Sequence, residues 1–461
     1  MDVNKLISVK PSENQIAWQA LGFTAFLHYG INTFTDREWG DGTECPSRYN
    51  PTSLDTDQWC EAMQAAGIKA CIITAKHHDG FCLFDTAHTN HSVMYSPKPV
   101  DVVAALAKSC EKYGLKLGVY LSPWDRHEPT YGMGAAYDDF FCAQLEEITT
   151  RYGKLYALWF DGACGEGPNG KTQEYDWQRY YDVIRKNQPN AVIAVCGPDV
   201  RWCGNEAGHT RPSEWSVVPA RLREAESTSN LSQQSDDTEF RERPISSQYQ
   251  DLGSQEFLAQ ESELCWYPAE VNVSIRPGWF YHASEDDKVR SVENLLDIYE
   301  KSVGGNGLFL LNIPPDNTGL INAADAARLK ELGERIGKIY DNNLLTDANA
   351  DYGQEILTDD DSFWMGNKEQ EEIEITLPQP NTVSHVVLCE QIRQSQRIEE
   401  FEILAELNGK WQAVYHGTTV GFKKICRFRP CVVEKLRIVI KQSRIAPTLR
   451  FVGAYLDGGL C

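Results

Sequence analysis

IKACIITAKHHDGF, residues 68–81, sets a run of Ile and small apolar residues directly against two histidines and an aspartate. A short apolar run that hardly alternates reads as a strand buried on both faces, the kind found in parallel sheets covered by helices. Runs of the same kind recur at GFTAFLHYG (22–30), LKLGVYLSPW (115–124), LYALWFDG (155–162), AVIAVCG (191–197), ELCWYPAEVNVSI (263–275) and GLFLLNIPP (307–315). Between them, LDTDQWCEAMQAAG, DVVAALAKSCEKYG, YDDFFCAQLEEITTRYG, EYDWQRYYDVIRKN and VRSVENLLDIYEKSV place apolar residues three and four apart, the period of an amphipathic helix. Seven or eight such units, with no GxGxxG opening the first helix, predict an α/β fold. The expected form is a closed (β/α)8-like TIM barrel over residues 1–342, not an open dinucleotide-binding sheet.

After the helical pattern AADAARLKELGERIGKIYD the period changes. EEIEITL, VSHVVLCEQI, EEFEILAEL, WQAVYHG, KICRFRP, KLRIVIKQ and LRFVGAYLD alternate with period two, which predicts a C-terminal antiparallel β-sandwich over residues 343–461. The polar stretch 199–262 reads as loop, lying over the strand ends where barrel enzymes set their specificity.

The formal charge of −22, from 44 basic and 66 acidic side chains, repels phosphate backbones and anionic lipid. Nucleic acid and membrane are therefore not expected partners, whereas a neutral sugar is compatible. The 12 Trp and 20 Tyr supply flat apolar rings with a polar handle, which suit the C–H faces and hydroxyls of sugars. The start, MDVNKLISVKPSENQIAWQ, lacks a cationic segment followed by an apolar core, so no signal peptide is read. The 14 cysteines are scattered without a CxxC, and some, such as Cys71 and Cys196, sit inside apolar runs as small hydrophobes. The expectation is a reduced, cytoplasmic protein, or a secreted or periplasmic one had a signal been removed. No feature speaks to oligomeric state.

Barrel enzymes carry their catalytic groups at the C-terminal ends of strands. The first run delivers His28, the second His77, His78 and Asp79, and the third Tyr120, Trp124 and Asp125. The fourth delivers Trp159 and Asp161, the sixth ends in Glu270, and the last in Asn312. Repeated delivery of His, Tyr, Trp and carboxylate to one rim predicts a polar, aromatic pocket. Asp161, between Trp159 and Gly162, is the leading nucleophile, and an ordinary Asp-Gly turn is the competing reading of the same residues. His77 and His78 face opposite ways on an extended strand and do not make a metal pair; at a strand end both can turn toward a pocket. With neither HExxH nor a Cys/His cluster, no metal and no cofactor is expected.

Trp39 lies in the polar, Gly-punctuated NTFTDREWGDGTE (32–44), an exposed loop where a large aromatic needs a reason. Trp124, Trp159 and Trp279 serve either as sugar platforms or as core. Hydrolysis of a glycoside also needs a protonated acid opposite the nucleophile. The candidates are Glu206 in RWCGNEAGH, Glu270 in WYPAEVNVS, and Glu38 and Glu44 on the first loop. Desolvation beside Trp202 would raise the pKa of Glu206, as a general acid requires.

FLHYGINTFTDREWGDG, ITAKHHDGFCLFDT, GVYLSPWDR, LWFDGA and VGGNGLFLLNIPPDNTG together resemble glycoside hydrolase family 29 across the first 340 residues. The resemblance implies a retaining α-L-fucosidase with Asp161 as nucleophile and His28, His77 and His78 as sugar contacts. It further implies Tyr120 and Trp159 as pocket aromatics, with Arg276 and Trp279 of RPGWF near the substrate. EWGDG, which holds Glu38 and Trp39, and GNEAG resemble the subgroup acting on α-1,3/1,4-linked, Lewis-type fucose. In that subgroup the acid/base falls on Glu206; in the other it falls near Glu270. The C-terminal module resembles discoidin-like carbohydrate-binding modules. The expected partner is a fucosylated oligosaccharide or glycoconjugate. The alternatives are a glycan-binding protein without turnover and a barrel glycosidase for another sugar, such as an α-galactoside.

Overall fold

The computed structural model describes residues 3–231 and 250–460. Its first sheet has eight parallel strands: β1 (Phe23–Leu27), β2 (Ala70–Lys76), β3 (Lys116–Leu121), β4 (Leu155–Phe160), β5 (Val192–Val195), β6 (Arg201–Trp202), β7 (Ala269–Ser274) and β8 (Leu308–Asn312). Their order is β5-β4-β3-β2-β1-β8-β7-β6. A single parallel bridge, Ala194 to Val200, ties the two edges, so the sheet nearly closes into a TIM-like barrel. Alternation along the strands sorts the core into two shells. Ala25, Leu27, Ile73, Val119, Leu158 and Val273 join the shell under the helices, while Phe26, Ile72, Tyr120, Trp159, Ala194 and Leu310 cluster inside.

The helical stretches form where the period placed them, among them Thr56–Ala65, Val102–Tyr113, Ala135–Arg151, Trp177–Asn187, Val292–Ser302 and Ala323–Tyr340. Asp55, Asp101, Asp176, Ser291 and Asn322 cap their N-termini by accepting first-turn N–H groups. Gly114 ends the second of these at φ +67°, a left-handed position that glycine adopts without strain.

Two strand readings change. ELCWYPAEVNVSI is not one strand: Pro268, with no N–H to give, separates Leu264–Trp266 from β7. The first piece pairs antiparallel with Val217–Pro219 outside the barrel. Glu270 is therefore the second residue of its strand, not the residue at its end. β6 is only two residues long, Arg201 and Trp202, and holds no apolar run of its own, so hydrophobic patterning does not reveal it. Of the loop expected over residues 199–262, positions 232–249 lie outside the described residues; the remainder includes short helices at Ala225–Leu231 and Gln255–Leu258.

Beyond Tyr340 the chain forms the antiparallel sandwich. Its larger sheet holds β9 (Asn349–Ala350), β10 (Glu371–Cys389), β11 (Ile398–Leu407), β12 (Lys410–Gly417), β13 (Lys424–Ser443) and β14 (Phe451–Tyr455), and a smaller one pairs Trp364–Met365 with Thr448–Leu449. Four of the expected short runs merge pairwise into the long β10 and β13. Register shifts between Thr376 and Asn381 and between Val383 and His385 let β10 run on past Pro378 and Pro380. Residues 371–376 pair with 435–440, while 385–388 pair with 424–427 on one side and 452–455 on the other.

Candidate active site

The barrel rim gathers side chains from distant parts of the chain. His77 and Asp161 directly follow β2 and β4, and His28 follows β1. The loop after Ile31–Thr35 supplies Glu38 and Trp39, the segment after β6 supplies Glu206, and the turn after β7 supplies Trp279. All of them, with His78 and Trp159, line one cavity of about 620 Å³, its mouth included. Phe26, Ala163, Val195, Trp202 and Asn272 complete the lining. Patterning had marked none of these five as site residues. Asn272 had a readable signal: Glu270, Asn272 and Ser274 occupy alternate positions of β7, a polar face on a strand whose other face, Val271 and Val273, is apolar.

Asp161 presents 24% of its side chain to this space. Burial raises its carboxyl above the usual range, opposed by the Ala163 N–H on Oδ1 (2.9 Å) and the Tyr120 hydroxyl on Oδ2 (3.1 Å). Tyr120 itself is fully buried behind the lining, its ring stacked on His77 at 5.6 Å and packed against Trp159 at 5.1 Å. A carboxylate with one face held by a backbone N–H and a phenol is fixed in direction, as a nucleophile must be.

The histidines are held from behind. Ser122 Oγ donates to the Trp124 carbonyl (2.7 Å), so it accepts from His78 Nδ1 (2.8 Å), and Nδ1 carries the hydrogen. His78 Nε2 then faces Asp161 Oδ2 at 3.7 Å. Asn312 donates from Nδ2 to the Trp279 carbonyl (2.8 Å) and to Ser274 Oγ (2.9 Å), which leaves Oδ1 to accept from His28 Nδ1 (2.8 Å). Burial pushes His78 down to about 3 and His77 well below its ordinary value. Both rings are therefore neutral at physiological pH. The ring centroids of His77 and His78 stand 4.1 Å apart, so the adjacent pair does turn to one side at the strand end.

The remaining wall is built by carboxylates. Glu38 accepts from the Trp279 N–H (2.9 Å) and the Phe280 N–H (3.1 Å), and pairs with His282 Nε2 (2.8 Å). The bond to Glu38 and a second to Asp36 raise His282 to about 9. Trp279 Nε1 in turn donates to Glu206 Oε2 at 3.0 Å. The loop carrying Glu38 and Trp39 lies tightly on the His77–Asp79 corner: a Cβ on Gly40 would stand 2.7 Å from both Asn32 Oδ1 and Asp79 Cβ. Glu44 staples the same loop, accepting from the Asp41 and Gly42 N–H groups at 2.8 and 2.9 Å.

Two expected residues lie elsewhere. Arg276 does not line the cavity; its guanidinium is buried against Asp325 (2.7 Å) and Asp286 (2.8 Å), where it closes an ion-pair network. Glu270 is also absent from the lining and is 1% exposed. Trp159 stands between, its indole N–H donating to Glu270 Oε1 at 2.8 Å. Burial raises Glu270 to about 7, and its Oε1 is spent on the Trp159 indole. Trp124 is 7% exposed and packs edge-on to Trp39, with ring centroids 5.5 Å apart. Among the described residues, no group of three or more His, Cys, Asp or Glu is arranged to hold a metal ion.

Residues 18–338 match the family model described as alpha-L-fucosidase. Alpha-L-fucosidase 1 of Arabidopsis thaliana is 39% identical over 97% of this chain and 87% of its own length. A Bacteroides ovatus crystal structure carrying a provisional α-L-fucosidase assignment has a TM-score of 0.89 at 44% identity, over 99% of this chain and 75% of that one. A glycoside hydrolase 29 family member from a rumen bacterium gives 0.82 at 36% identity, over 97% of this chain and 77% of that one.

Proposed function

The chain belongs to the α-L-fucosidase family, glycoside hydrolase family 29, and is an α-L-fucosidase; from that premise we propose that it works with retention, Asp161 acting as nucleophile and Glu206 as acid/base. The observation that carries the reading is that a carboxylate fixed at the end of β4 and a second on the loop after β6 line the same cavity. In this reading Asp161 attacks the anomeric carbon as Glu206 gives its proton to the departing glycosidic oxygen, forming a covalent fucosyl-enzyme. Glu206 then takes a proton from water, which breaks the ester at the same carbon and restores the starting configuration. The Trp279 indole N–H on Glu206 Oε2 fixes that oxygen as an acceptor, so the acid proton belongs on Oε1. The neutral histidines accept sugar hydroxyl protons, and the indoles of Trp39, Trp159 and Trp279 offer apolar faces to the ring and its methyl group.

We place the preferred substrate among α-1,3/1,4-linked, Lewis-type fucosides on glycans or glycoconjugates. Support comes from the cavity positions of Glu38, Trp39 and Glu206, on the two loops through which the chain resembles that subgroup. Catalysis in this reading lies within residues 1–342, since every cavity residue falls between Phe26 and Trp279, and 343–461 form an accessory sandwich.

The test is azide rescue on an activated aryl fucoside. Asp161→Gly with azide should give the β-L-fucosyl azide by direct displacement. Glu206→Ala should give the α-azide from the trapped fucosyl-enzyme, with natural-substrate turnover down about 10²–10⁴-fold. If the α-azide comes from Glu270→Ala and not from Glu206→Ala, the acid/base is misassigned. Parallel assays with a D-galactoside and a Lewis-type trisaccharide check the sugar and the linkage.

A further inference from the structure

Asn272 is a polar cavity residue with no role in the mechanism above. Trp202 Nε1 donates to its Oδ1 at 2.8 Å. An indole N–H can only donate, so the carboxamide must meet it with oxygen, and the NH₂ group is turned the other way. That Nδ2 donates to no described residue and is not sealed from solvent. The residue is 4% exposed, and the open space it borders is the cavity. Its backbone is fixed as well: Asn272 pairs with Leu310 in the middle of the β7–β8 ladder, and Glu270, two residues back, pairs with Trp202 across β6.

We infer that Asn272 is a substrate-recognition residue whose Nδ2 donates to one ring hydroxyl of the bound sugar, with Trp202 as the positioning residue that holds the amide in this sense. The inference rests on the reading of this cavity as the fucosyl site. The fixed groups of the same cavity include acceptors, His78 Nε2 and ionised Asp161. A hydroxyl that gives its proton to an acceptor keeps lone pairs to be read by a donor. Asn272 supplies that donor without adding charge beside Asp161. A hydroxyl of inverted configuration would leave Nδ2 unmet in a buried place, which is where hydrogen bonding discriminates most strongly.

Steady-state kinetics of the full chain on 4-nitrophenyl α-L-fucoside and its 2-, 3- and 4-deoxy analogues test this. Wild type should lose about tenfold or more in kcat/KM on the analogue lacking the partner hydroxyl. Asn272→Ala should lose about tenfold on the parent, yet little further on that one analogue, since the same bond is not lost twice. Trp202→Phe keeps a ring at that wall but frees the amide to flip. It should show a partial loss on the substrates that keep the partner hydroxyl, little loss on the analogue that lacks it, and no added loss when combined with Asn272→Ala. A disturbance of folding or packing would instead penalise all analogues alike. Equal penalties across the analogues in wild type and Asn272→Ala overturn the assignment, and should that variant fail to fold, Trp202→Phe carries the same comparison. Wild-type turnover by Asp161→Gly would instead bring down the cavity reading underneath.

Discussion

The barrel and the sandwich handle polar groups on strands in opposite ways. β2 and β8 are buried at every residue, so polar side chains there either point into the barrel or stand at the strand ends. The ends come together, and residues just beyond them, His28, His77 and Asp161 among them, line the cavity. In the sandwich, β11 alternates buried and half-buried positions, and its outer groups face solvent. There they are matched to one another: Glu374 with Lys435 (2.7 Å) and Arg437 (2.8 Å), and Glu402 with Lys441 (2.8 Å). Polar groups just beyond buried strands therefore gather around one cavity, whereas those on the outer face of alternating strands pair with one another.

Three substitutions probe that contrast. Phe401 is fully buried in the sandwich core and stacks on Tyr415 at 6.0 Å. Phe401→Ala should cost about 3–5 kcal/mol of stability by urea unfolding, while kcat/KM of the folded enzyme stays near wild type. Loss of turnover at unchanged stability would break the division between the two regions. Tyr120→Phe should do the reverse, leaving stability nearly intact. The phenol donor favours ionised Asp161, so its loss moves a carboxyl already raised by burial further up. Because the nucleophile must be ionised, the acid limb of the kcat/KM profile should shift to higher pH by up to about one unit, roughly 1.4 kcal/mol. A shift to lower pH would contradict the proposed role of Asp161. The smallest effect belongs to Glu374→Gln, at most about 1 kcal/mol and weaker in high salt, with kinetics unmoved. A larger cost, undiminished by salt, would mean that the outer face of the sandwich is more than a solvated surface.

Much of the site was legible because its residues follow immediately after apolar runs. His28, His77, His78 and Asp161 all stand at the ends of strands that periodicity alone delimits. Glu270 misled for a definite reason: the break at Pro268 falls inside a continuous apolar run, so the start of a strand looked like its end. Arg276 was legible as a nearby cation but not as one already committed to Asp325 and Asp286. Asn272 was passed over although its strand alternates, because the alternation puts the polar face inside the barrel, the reverse of a half-buried sheet. In the sandwich, EEIEITL and VSHVVLCEQI read as separate runs, yet β10 carries both through Pro378 and Pro380 across a register shift.

Period and hydropathy are local properties, and along this chain they suffice for the barrel, the sandwich and the rim on which the chemistry collects. Which rim groups face each other is not local. Trp279 meets Glu206 across 73 positions, Trp202 meets Asn272 across 70, and Trp159 covers Glu270 across 111. Those pairings depend on how far neighbouring strands are staggered when the sheet closes, a quantity carried by no single segment. Barrel closure thus puts Glu206 in the cavity and Glu270 beneath it, two glutamates that hydrophobic patterning alone leaves equivalent.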